Sequence, residues 1–181
     1  MKLIIGLGNP GKNHAFTRHN AGFLFLDFLQ KEWGFDTFQE NKKMLAEISE
    51  GQRGKEKIFL VKPLTFMNAS GTTVSQLIHF YKLTPNDIVV LHDDLDITPG
   101  TYKKTLSSRA AGHNGVSDII DKLDTQDFLR FRIGIGRPIE INGACIPSHD
   151  FVLQNFSSEE QTHLLALFPE IQKDLEASLG L

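Results

Sequence analysis

The run Ile88-Val89-Val90-Leu91 has no polar residue to place on an exposed face. Successive side chains of a strand point to opposite sides of its sheet, so an unbroken apolar run belongs where helices cover both faces. Leu3–Ile5 and Ile58–Val61 have the same character. The segments between these runs follow helical spacing. Phe23, Leu24, Leu26, Phe28 and Leu29 give a broad apolar face to a helix expected from Asn20 to about Trp33, stopped by Gly34. Val74, Leu77, Ile78 and Tyr81 share one face of a second helix starting at Asn68 or Ser70. Val116, Ile119, Ile120 and Leu123 do the same for a third, beginning at Asn114. Further strands are expected over Met44–Ser49, Thr101–Leu106 and Phe131–Ile135, with a turn at Gly51–Gly54. Ser157-Ser158-Glu159-Glu160 is a capping-box signature ahead of the stripe Leu164, Phe168, Ile171 and Leu175, and Pro169 is expected to kink or divide that helix. Strands alternating with helices place the chain in the α/β class, with a mixed or mainly parallel sheet.

At 181 residues the chain is most economically one domain, spanning 1–181. Its single cysteine, Cys145, excludes an internal disulfide framework and favours a reducing compartment. The apolar run before Gly6 is too short for a signal peptide, and no segment approaches a membrane span, so a cytoplasmic protein without membrane attachment is expected. The net charge of −3 is unevenly spread: residues 1–99 balance, 100–137 carry +3 and 138–181 carry −6. Screening confines each field to about 8–10 Å, so a basic face over 100–137 remains able to attract phosphate.

Ligands of open α/β sheets gather beyond the carboxyl ends of the strands. The loop following the first strand, Asn9 to Gly22, contains His19. A lone histidine is most simply a packing or capping residue. Asp93, however, ends the apolar run of a central strand and would emerge at the same edge. A carboxylate bonded to one imidazole nitrogen fixes the tautomer and leaves the other nitrogen as a base. Asn9, Asn68 and Asn114 each stand where an apolar segment gives way to a turn or helix. Singly they read as caps; together they could donate to a carbonyl or a developing oxyanion.

Gly6-Leu7-Gly8-Asn9-Pro10-Gly11 matches the dinucleotide pattern, but Pro10-Gly11 favours a turn and the helix is expected only from Asn20, so a nucleotide-binding oxidoreductase rests on glycines alone. Asp93, Asp94 and Asp96 could serve a metal or a solvated turn. The nearby His92 is turned away from Asp93 by strand alternation, and no metal is expected. There is no Gly-x-Ser-x-Gly elbow, and Cys145 lies in no thiol motif, which leaves water as the nucleophile of any hydrolase.

Five segments in this order resemble bacterial-type peptidyl-tRNA hydrolase from residue 1 to about 165. They are Asn9-Pro10-Gly11 through Thr17-Arg18-His19-Asn20-Ala21-Gly22; Pro63 through Gly71; His92-Asp93-Asp94-Leu95-Asp96 with Gly100; Gly112-His113-Asn114-Gly115; and Arg132 through Pro138. The resemblance implies a three-layer α/β/α single domain with a mixed, mainly parallel central sheet. It implies an enzyme that cleaves the ester joining peptide to tRNA and recycles the tRNA, without cofactor or metal, as a monomer with no obligate protein partner. The match to His19 activates water and the match to Asp93 orients it. Asn9 would read the blocked amino group. Phe66, Asn68 and Asn114 would contact substrate near the scissile carbonyl, and Met67 and His113 would line the cleft. A rival reading keeps the fold but makes the chain a non-catalytic RNA-binding relative.

Three departures stand out. His14 replaces the family's usual tyrosine as a substrate contact. Ser107-Ser108-Arg109-Ala110-Ala111 replaces a glycine-rich loop and should be stiffer. Lys103 keeps a basic tRNA-contact position, but its companion two residues on is Thr105, and Lys104 faces the other way. Arg109 or Arg132 would then restore the phosphate contact.

Overall fold

In the computed structural model, which describes residues 1–139 and 144–181, the apolar runs lie side by side. β1 (Lys2–Gly6) is flanked by β4 (Glu56–Pro63) and β5 (Ile88–Asp94), and β5 by β7 (Leu129–Gly134). These four strands are parallel, with Leu3 opposite both Phe59 and Ile88 and Leu91 opposite Phe131. Antiparallel strands extend both edges: β3 (Ala46–Arg53) and β2 (Gln39–Asn41) beyond β4, and β6 (Tyr102–Leu106) beyond β7. The seven-stranded order is β2-β3-β4-β1-β5-β7-β6. β5 is buried along its whole length, as its apolar run requires.

The helices form the outer layers. Leu26 and Leu29 of α1 (Ala21–Trp33) and Phe168, Ile171 and Leu175 of α5 (Ser158–Leu179) share one core with Ile4, Leu91 and Phe131. Val74 and Leu77 of α2 (Ser70–Tyr81) and Val116 and Ile119 of α3 (Asn114–Leu123) share the other with Leu3, Ile5 and Val90. The alternation of side chains along β1 therefore feeds both cores, giving three layers, α/β/α.

Several local expectations are corrected. Met44 and Leu45 lie in a turn ahead of β3, which runs on to Arg53. Gly51 is a strand residue paired with Ile58. A Cβ there would run into the Phe35 ring, so glycine serves packing rather than a turn. Pro169 neither ends nor divides α5. The N–H it lacks would bond the carbonyl of Leu165, a residue 59% exposed, where water can take the donor's place. β2 and the short α4 (Ser148–Val152) carry no sequence signal strong enough to announce them.

One close approach sets up the site. A Cβ on Gly6 would strike the backbone of Gly22, and one on Gly22 would strike Leu91 O and the backbone of Leu7. Two glycines thus let the start of α1 lie directly on the ends of β1 and β5. Gly6 of the dinucleotide pattern thus serves packing, as does Gly8, whose Cβ would strike the Phe23 ring, while Gly11 serves a φ of 100° and α1 opens only at Ala21.

Candidate active site

Because β4, β1 and β5 are parallel neighbours, their following loops meet at one sheet edge. The β1 loop ends in a 3-10 turn, Arg18–Asn20, which delivers His19. The β4 loop ends in another, Met67–Ala69, which delivers Asn68. β5 delivers Asp93, and the start of α3 delivers His113 and Asn114. All these residues line an open cleft of about 550 Å³, together with Asn9, Phe66 and Met67.

His19 Nδ1 lies 2.9 Å from Asp93 Oδ1 and 3.0 Å from Oδ2, so it is the protonated nitrogen of the neutral ring. Nε2 is then a free base at the cleft wall. Burial by itself would lower the pKa of His19, but the charge and hydrogen bond of Asp93 outweigh it and raise the pKa above the ordinary value. Burial would likewise raise the carboxyl of Asp93; facing His19 and then His113, it is held well below the usual carboxylate range.

The second imidazole on Asp93 is a feature the sequence reading did not anticipate. His113 Nδ1 accepts the N–H of Val116 at 3.3 Å, capping α3, so its proton sits on Nε2 and is donated to Asp93 Oδ1 at 3.0 Å. The signal available was position, since His113 immediately precedes the helix. His92 does point away from the carboxylate. Its Nδ1 donates to Asp93 O at 2.7 Å, and its ring meets that of His113 edge-on at 4.7 Å. Complete burial keeps His92 neutral, its pKa well below the ordinary value. His19, Asp93 and His113 offer three donor atoms within 4.8 Å that could gather round a metal ion, but their mutual hydrogen bonds already account for the convergence.

The asparagines divide into two kinds. Asn9 is 7% exposed and accepts Met67 N–H on Oδ1 at 2.9 Å, leaving Nδ2 to face the cleft. It is set by Asn20, which stands at the N-cap position of α1 but makes no capping bond with its side chain. Instead Asn20 Oδ1 accepts Asn9 N–H at 2.9 Å and its Nδ2 donates to Asn9 O at 3.0 Å. Asn68 and Asn114 are exposed in the cleft and make no side-chain hydrogen bond among the described residues. Phe66 stands 63% exposed at the mouth, and Leu95, Val152 and Leu153 extend the apolar wall.

The remaining expected contacts lie outside this lining. His14 is half-buried in the turn Lys12–His14. Lys103 is exposed on edge strand β6, directly across from Arg132, whose Nε donates to Asp94 Oδ2 at 2.8 Å. Lys104 faces the other layer, where it pairs with Asp174 of α5. Arg130, nearly inaccessible, donates to the carbonyls of Ser108 and Arg109 and to Ser108 Oγ. Burial and the neighbouring Arg132 lower its pKa to about 10. This grip holds a loop in which Ser107 and Ala111 adopt φ of 55° and 50°, so the missing glycines are replaced by strained backbone under restraint.

Comparison with known proteins bears on the family and the fold. Residues 3–180 match the family model of peptidyl-tRNA hydrolase. The chain is 44% identical to the peptidyl-tRNA hydrolase of Brevibacillus brevis over 91% of its own length and 84% of the relative's. It is 46% identical to that of Desulfitobacterium hafniense, over 88% and 83%. A crystal structure of peptidyl-tRNA hydrolase from Acinetobacter baumannii superposes with a TM-score of 0.86 at 32% identity, covering 99% of this chain and 93% of the other. The edge where His19 meets Asp93 is thus set in a chain that belongs to the peptidyl-tRNA hydrolase family.

Proposed function

We propose that the chain hydrolyses the ester between peptide and tRNA in peptidyl-tRNA, with His19 as general base and Asp93 as its orienting carboxylate. The observation that carries this reading is the His19 Nδ1–Asp93 pair at 2.9 Å in the same cleft as the exposed amides of Asn68 and Asn114. Nε2 of His19 takes a proton from water as the water oxygen bonds to the ester carbonyl carbon. The oxygen that becomes negative accepts hydrogen bonds from the Asn68 and Asn114 amides, each worth on the order of 10²–10³ in rate. The tetrahedral intermediate then breaks its bond to the ribose oxygen, which takes the proton back from the imidazolium. Asp93 stays ionised throughout and stabilises that imidazolium. An ester has a better leaving group than an amide, so this base and these donors suffice without a metal or cofactor.

Asn9 Nδ2 reads the carbonyl of a blocked amino group, and Phe66 and Met67 pack against the substrate. His14 contacts substrate from the rim, where it adds a ring able to hydrogen-bond. Lys103, Arg132 and Arg109 meet tRNA phosphates, and 100–137 is the net positive stretch of the chain. The site is complete within one chain, which fits a monomer with no obligate protein partner. A lone cysteine fits the cytoplasm, and no helix among the described residues is long and apolar enough to cross a membrane.

The test compares N-blocked aminoacyl-tRNA with its unblocked counterpart. Cleavage of the blocked form alone is expected. Binding of both without cleavage would move the chain to the non-catalytic RNA-binding reading.

A further inference from the structure

His19 sits one residue after Arg18, whose side chain has no place in the chemistry above yet is 8% exposed and bonded through Nε and both Nη atoms. Arg18 Nε and Nη2 donate to the two carboxylate oxygens of Glu160 at 3.0 and 2.9 Å. Nη1 reaches the carbonyls of Phe151 and Gln154 at 3.3 and 3.4 Å, and the guanidinium lies 4.1 Å above the centre of the Phe151 ring. The backbone repeats the connection: Arg18 N–H donates to Gln154 O and Phe156 N–H to Phe16 O, both at 3.0 Å. A segment 142 residues away in sequence is thus fastened to the turn that carries the base.

Glu160 has a second duty. It accepts the N–H of Ser157 on Oε2 at 2.6 Å, while Ser157 Oγ accepts the N–H of Glu160 at 3.2 Å, closing the capping box of α5. The charge and bonds of Arg18 and Ser157 hold its carboxyl below the ordinary range, against the burial that would raise it. One carboxylate therefore starts the last helix and grips the arginine beside the base. A lysine could supply the charge but not the planar fork that meets two oxygens and two carbonyls at once.

We infer that Arg18 is a positioning residue: its bidentate grip on Glu160 and its stacking on Phe151 hold the Arg18–Asn20 turn so that His19 Nδ1 stays on Asp93 and Nε2 stays on the cleft. The C-terminal helix, remote from the substrate, thereby becomes part of the framework of the base. This rests on the role of His19 given above. The groups that face the ring are Asp93 from β5 and His113 from the start of α3, whose ring centre is 4.9 Å away, with Asp94 and His149 elsewhere along the cleft.

The experiment uses Arg18→Lys and Glu160→Gln in the full chain, avoiding Arg18→Ala, which would remove the stacking on Phe151 and every bond of the guanidinium at once. Hydrolysis of N-blocked aminoacyl-tRNA is measured across pH, and the His19 midpoint is read by NMR in the free protein. Because small misplacements of a reacting group are costly while ground-state binding is untouched, kcat is expected to fall on the order of tenfold or more with KM within about twofold. The acid limb and the NMR midpoint are expected to move down together as contact with Asp93 loosens. Ser157→Ala weakens the same helix start but spares the arginine, and is expected to lower Tm with kcat and the limb unchanged. Wild-type kcat and midpoint in both arginine–glutamate variants would overturn the inference. So would an equal loss of kcat in Ser157→Ala, which would make the effect one of helix fraying. A wild-type protein that fails to cleave the ester would count against the hydrolase reading instead, while the NMR midpoint would still report on positioning.

Discussion

Asp93 Oδ1 accepts from His19 Nδ1 at 2.9 Å and from His113 Nε2 at 3.0 Å, so one buried carboxylate oxygen serves two imidazoles. The two donors compete for its charge. Removing His113 leaves more of that charge to His19 and makes the His19 imidazolium more stable. In His113→Ala the acid limb of kcat/KM is therefore expected to move to higher pH. The lost cap of α3 lowers stability by about 1 kcal/mol, but a cap alone does not move the limb. An unmoved limb would show that His113 takes no share of the carboxylate.

The opposite change follows from Asp93→Asn. His19 must be neutral to take a proton, so activity falls as pH drops through its raised pKa. Asparagine removes the charge that raises it and leaves the burial that lowers it. The acid limb is then expected to fall below about pH 6.5, the ordinary value, while the plateau rate drops as the tautomer is no longer fixed. A limb that stays above the ordinary value would mean that some other group holds the proton.

Gly22→Ala tests the approach of α1 to the sheet. The added carbon would meet backbone of Leu91 and Leu7, which cannot rotate aside as a side chain can. A loss of about 1–3 kcal/mol in urea unfolding is expected. Wild-type stability would show that the helix has room to lift and that the His19–Asp93 distance is not set by this contact.

Much of this was legible because the elements and the edge are local matters. The run Ile88–Leu91 identifies a covered strand, and Asp93 follows from where that strand ends. The capping box at Ser157 is complete in the sequence itself. What could not be read depends on partners distant in the chain. Gly51 resembles a turn residue until Phe35 is seen lying on it. Asn20 has the side chain of a helix cap, but the same amide fits both backbone groups of Asn9, and tertiary contact decides. His113 reaches Asp93 from across the sequence, out of a loop whose carbonyls Arg130 holds, an arrangement no spacing reveals.

The basic face is best probed at Lys103. Arg132 is paired with the buried Asp94, so its removal would strand a charge and confuse binding with stability. Lys103 is exposed and has no ion-pair partner among the described residues. Lys103→Ala is expected to weaken binding to tRNA and to reduce the slope of log affinity against log salt by about 1. An unchanged slope would remove Lys103 from the phosphate contacts.

The central claim concerns a single nitrogen, His19 Nε2, and single-turnover release of peptide from peptidyl-tRNA by His19→Ala addresses it directly. With circular dichroism and Tm confirming a folded protein, the rate is expected to fall by about 10²–10⁴. Turnover within a fewfold of wild type would contradict the assignment of the base.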